Sequence, residues 1–133
     1  MNLKTYNTET LPARTAQPGV PSIGLYSRNG IFVFNDAARQ HLDLRPGEQV
    51  QLLQDEDDPE NWYLQVVKSD GFVLREKQSG NYKNLVFAST ALVRLVFESV
   101  AYEGKSGRVL IGEPIKHGKA TLHTLITLKL RNV

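Results

Sequence analysis

Apolar and polar residues alternate with a period of two through much of the chain after residue 21, the mark of strands with one buried face. Over residues 22–28 Ile23 and Leu25 face one way, and Gly24 and Tyr26 the other. Asn29-Gly30 follows, a dipeptide suited to the two positive φ angles of a type I′ turn, and residues 31–34 return. Asn35 or Asp36 is placed to cap a short helix over residues 37–42, because a side-chain oxygen there accepts from an orphan N–H. Residues 45–48 read as a turn, and 49–54 as a strand with Val50 and Leu52 on one face. An acidic loop over 55–61 leads into a strand over 62–68 that sets Trp62, Leu64 and Val66 together. Trp62 is therefore expected in the core.

The same order of elements recurs after a turn at 69–71. Residues 72–76 read as a strand, 77–83 as a polar loop, 84–87 as a strand, and Ser89 or Thr90 caps a helix reaching about Val100. Residues 108–111 form the next strand, 114–119 a loop, and 122–131 a last strand with Leu122, Thr124, Ile126, Leu128 and Leu130 on one face. The fold class expected is α+β and mostly β. Two β-β-α-β-β halves, residues 21–70 and 71–133, would form one barrel-like domain about a pseudo-twofold axis. Residues 1–20, interrupted by Pro12, Pro18 and Gly19, read as a flexible N-terminal arm.

The second helix carries few polar residues, Arg94, Glu98 and Ser99 among them. A helix apolar over most of its surface needs burial on several sides. Leu92, Leu95, Val96 and Phe97 are thus the candidate interface of a homo-oligomer, most simply a twofold dimer.

Charge divides the halves. Residues 21–70 carry a net −5 and residues 71–133 a net +6, although the whole chain is only +2. Such a split fits an anionic partner for the second half, opposite halves meeting between copies, or a chance distribution on solvated faces. In the first case residues 21–70 should face away from the partner.

Residues 30–52 resemble the AbrB/SpoVT class of swapped-hairpin domains. The segment has Gly30, an alternating strand, a helix with Arg39 and Leu42, then Leu44, a turn containing Gly47, and a second alternating strand. Asn35 stands where a strict member of the class has proline. The resemblance implies duplex DNA binding by basic residues of the first hairpin and helix of each unit. It nominates Arg28, Arg39 and Arg45, and by analogy Arg75, Lys77, Lys83 and Arg94.

Signatures of catalysis are missing from the sequence. No phosphate-binding glycine loop or nucleophile elbow is present, and the absence of cysteine removes thiolate chemistry and zinc–thiolate sites. His41, His117 and His123 lack the spacing of a metal site, and Asp55 to Asp58 lack the glycine and terminal glutamate of a calcium loop. No cofactor and no metal are expected. A cytoplasmic location is expected from the cysteine-free composition and the start of the chain, and no apolar run approaches the roughly 20 residues of a membrane span. Two functions remain open: a non-enzymatic, AbrB-like DNA-binding regulator, or an assembly protein whose partner is itself.

Overall fold

The computed structural model describes residues 19–79, 82–127 and 130. The arm expected over residues 1–20 therefore lies outside the described residues except for Gly19 and Val20. The elements run β1 (Ser22–Tyr26), β2 (Ile31–Phe34), α1 (Asp36–His41), β3 (Gln49–Gln54), β4 (Trp62–Val67), β5 (Phe72–Val73), β6 (Arg75–Ser79), β7 (Tyr82–Ala88), α2 (Thr90–Ser99), β8 (Ser106–His117) and β9 (Ala120–Ile126). The class is mostly β, and the strands form one sheet in the order β5-β3-β4-β9-β8-β1-β2-β7-β6.

That sheet nearly closes on itself. Its two edges, β5 and β6, are joined in the chain by Leu74 alone. Leu74 keeps the ladder going: its N–H donates to the Glu48 carbonyl, and its carbonyl accepts from Gly47 N–H, both at 2.8 Å. Phe72 faces β3 and Glu76 faces β7, so residues 72–79 act as one stave between them. Closure of this kind removes the unpaired edges that invite aggregation.

The inward side is set by alternation. Ile23, Leu25, Phe32, Phe34, Leu85 and Phe87 are all at most 2% exposed and lie opposite one another across β1, β2 and β7. Phe87 stacks between Phe32, with ring centres 4.4 Å apart, and Phe72, at 4.7 Å. On the far wall Trp62 and Leu64 of β4 face Leu125 and His123 of β9.

α1 begins where the sequence places it. Asn35 Oδ1 accepts from Ala38 N–H at 2.8 Å and from Ser22 N–H at 3.1 Å, and Asn35 Nδ2 donates to the Val20 carbonyl. One side chain thus caps the helix and fastens the start of β1. α2 covers the barrel end at which the β1–β2 and β3–β4 loops lie. Ser89 N–H donates to the Gly30 carbonyl at 2.7 Å, and Trp62 Nε1 donates to Ser99 Oγ at 2.8 Å. Trp62 is a core residue, 3% exposed.

Several expectations are corrected. The first hairpin turns through four residues, since Tyr26 pairs with Ile31, and of Asn29 and Gly30 only Gly30 has positive φ. Ser27 is held instead by Lys105, whose carbonyl accepts from both its N–H and its hydroxyl at 2.9 Å. The loop expected over 77–83 is largely strand, with Lys77 opposite Asn84 and Gln78 opposite Lys83; Gly80 and Asn81 lie outside the described residues. Pro114 to His117 belong to β8, after an irregularity between Ile111 and Pro114. The last strand ends at Ile126, and Leu128 and residues 131–133 lie outside the described residues. Leu125 and His123 are the positions that face Trp62 and Leu64 of β4; of the set expected on one face, Leu122 and Leu130 are buried, while Thr124 and Ile126 are only partly so.

Candidate nucleic-acid interface

Alternation that turns Ile23 and Leu25 inward turns Gly24 and Tyr26 outward, and pairing extends this across the sheet. Arg108 of β8 lies opposite Gly24, Gly24 opposite Val33, Val33 opposite Val86, and Val86 opposite Arg75. One outer row therefore crosses β8-β1-β2-β7-β6 with an arginine at each end. Its ends are separated along the sheet by four strand spacings, about 19 Å. Lys77 lies two residues beyond Arg75 on the same face, and Tyr26 two beyond Gly24. Val33 is half-buried and Val86 buried, and they form the floor.

The seven basic candidates do not gather at one place. Arg75 and Lys77 share the outer face, and Arg28 sits in the exposed loop after Tyr26. Lys83 lies opposite Gln78, hence on the other face from Lys77, although the two are close in sequence. Arg39 projects from α1 to that other side, paired with Glu76 at 3.3 Å and donating to the Lys83 carbonyl at 3.4 Å. Arg45 is exposed in the turn before β3. Arg94 lines a cleft with Ser27, Thr90, Glu98 and Tyr102, of about 210 Å³, below the roughly 300–1,000 Å³ common for small-molecule sites. Arg75, Lys77, Arg28 and Arg108 enter no ion pair among the described residues.

Sequence reasoning missed Arg108 and Tyr26. Alternation alone turns Arg108 away from Val109 and Ile111; the missing knowledge was that β8 lies beside β1. Strands of the acidic half also lie within this face, because β1 and β2 lie between β8 and β7.

The interface residues expected on α2 separate. Val96 and Phe97 are 2% and 6% exposed, within the chain's own core. Leu92 packs partly against that core, and Leu95 is 52% exposed. Because α2 caps a barrel end, one chain buries more of the helix than its sequence pattern implied.

Among the described residues no three His, Asp or Glu side chains converge to hold a metal ion, and no helix is long and apolar enough to cross a membrane. His123 has an unusual setting. It faces Leu64 across β9 and β4, and its buried Nδ1 has no hydrogen-bond partner among the described residues. Burial, and then the nearby His41, lower its pKa from the ordinary 6.5. The fold thus favours the neutral ring, whereas the unfolded chain takes up a proton below about pH 6.5. Stability from this group is full above that pH and is lost as pH falls through the lowered pKa. Melting temperature is expected to drop between pH 7.5 and 5, and His123→Leu to flatten that part of the profile. Parallel profiles for the two proteins would place the acid sensitivity elsewhere.

Comparison with protein-family models, curated proteins and solved structures finds no match.

Proposed function

We propose that the chain is a non-enzymatic nucleic-acid-binding protein of the AbrB/SpoVT swapped-hairpin type, holding DNA by phosphate contacts on the outer face of β8-β1-β2-β7-β6. The observation that carries this reading is the outer row with Arg108 at one end and Arg75 at the other, reinforced by Lys77. Unpaired guanidinium and ammonium groups along a sheet face suit a polyanion.

Strand order supports the two-half reading. If residues 72–79 count as one strand, exchanging β1, β2, β3 and β4 with that strand, β7, β8 and β9 leaves every neighbour relation unchanged. Each hairpin then lies between hairpins of the other half, which is the interleaving that a swapped-hairpin pair implies. The departure at Asn35 also has a local reason: its N–H donates to the Ser22 carbonyl at 3.2 Å, a bond that proline cannot make.

Duplex binding measured by fluorescence anisotropy over a salt series tests the proposal. Each phosphate neutralised steepens the fall of log K by about 0.9 per decade of salt. Charge reversal at Arg75, Lys77 and Arg108 is expected to weaken binding and flatten that slope by up to about 3. Binding of neither duplex nor single-stranded DNA by the intact chain at low salt would remove the reading.

A second reading, head-to-tail assembly of copies, is favoured by a different observation. β4 and β9 run antiparallel with Trp62 beside Leu125, so the acidic tip at residues 55–58 and the tip bearing Lys116 and Lys119 lie at opposite ends of the barrel. Light scattering across concentration and salt tests it: a salt-sensitive rise in mass supports assembly, and a constant monomer mass ends it.

A further inference from the structure

The structure assigns Tyr26 a role that phosphate contacts cannot fill: we propose that its ring is a stacking platform for an unpaired base, so that single-stranded nucleic acid is the better ligand of this face. The inference rests on the nucleic-acid reading above and narrows it.

Tyr26 is 46% exposed on the outer face of β1, where an aromatic ring gains nothing from the core. Its ring lies back over Gly24. A Cβ built on Gly24 would come within 3.1 Å of the ring edge and 3.3 Å of the hydroxyl. A side chain at position 24 would thus crowd the ring, whereas glycine lets it lie low along the strand and present a face to solvent. Half-buried Ile31 lies directly opposite Tyr26 on β2, and exposed Ser106 on β8. Neither is an aromatic that could cover that face.

Three basic residues lie near Tyr26 in the chain or the ladder. Arg108 lies opposite Gly24, over which the ring rests. Arg28 follows two residues after Tyr26, and Lys105 precedes Ser106, its direct partner. All three are exposed, and none enters an ion pair among the described residues. An exposed ring on a face with basic residues close in the chain and ladder suits single strands: bases stack on the aromatic while the backbone follows the charge. A closed duplex keeps its bases stacked on one another and offers this ring only its backbone and groove edges.

The test measures binding of oligothymidylate and of a blunt duplex to the intact chain, Tyr26→Ala and Tyr26→Phe. Tyr26 is half-exposed, so both variants should fold, which circular dichroism checks. The intact chain is expected to bind the single strand more tightly than the duplex. Tyr26→Ala should lose single-strand affinity about 5- to 150-fold, the range of one base–aromatic stack. Its salt slope and its duplex affinity should stay unchanged, because no phosphate contact is removed. Tyr26→Phe should retain single-strand affinity, since the π-face remains. If Tyr26→Ala binds the single strand as well as the intact chain, or the intact chain prefers the duplex, the platform is overturned while the nucleic-acid reading stands. If the intact chain binds neither ligand at low salt, both fall together.

Discussion

Replacing Phe87 with alanine is expected to destabilise the chain by about 3–5 kcal/mol. Phe87 is 2% exposed, lies between the rings of Phe32 and Phe72, and is 6.1 Å from that of Phe34. The stack joins β2 and β7 to the stave that closes the barrel, so the space left by a missing ring is walled by rigid strands and collapses poorly. Domains of this size have about 5–15 kcal/mol in total, and the loss is therefore a large share. Chemical denaturation should show a much lower midpoint with the same slope, and Phe87→Leu, which keeps most of the volume, should cost clearly less. A loss under about 1 kcal/mol for Phe87→Ala would contradict the packing that joins β5 to β7.

Gly30→Ala is expected to cost about 2–5 kcal/mol, from two sources. Gly30 has φ of +64°, a region that costs a side-chain-bearing residue about 1–2 kcal/mol. A Cβ there would also lie 2.4 Å from Thr90 Oγ1 and 2.5 Å from Thr90 N, and such overpacking costs about 1–3 kcal/mol more. Gly47→Ala is the control, with φ of +94° and nothing within 4 Å of the new Cβ. Equal losses at the two sites, read by thermal melting, would refute the close seating of the first hairpin on α2.

What the sequence made legible were the elements with one wet and one dry face. β3 spans the residues that alternation assigns, and the caps of α1 and α2 are Asn35 and Ser89, both among the residues expected. What stayed hidden was structure whose cause is distant in the chain. The four-residue turn at Ser27 depends on Lys105, and which β9 residues face Trp62 and Leu64 is fixed by its pairing with β4. Exposed residues 77 and 78 read as loop because a hairpin wet on both faces has no apolar alternation to betray it. The candidate face was half legible: Gly24 and Tyr26 share a side on alternation alone, but their meeting with Arg108 and Arg75 is a property of strand order. Proximity in sequence misled at Lys77 and Lys83, since a hairpin puts neighbouring lysines on opposite faces as readily as on one.

The interleaving of hairpins also bears on how the chain reaches its native state. Neighbouring strands such as β1 and β8, β2 and β7, or β4 and β9 come from widely separated parts of the chain. Each such seam requires a long loop to close before its contacts can repay the lost entropy. Individual hairpins can form early, but none has both of its lateral partners until the second half of the polypeptide has arrived. Chains dominated by remote pairings fold in milliseconds to seconds, not microseconds. During synthesis, residues 21–70 would leave the ribosome with apolar strand faces uncovered, and that interval is when this protein is most open to capture by chaperones or by other copies of itself.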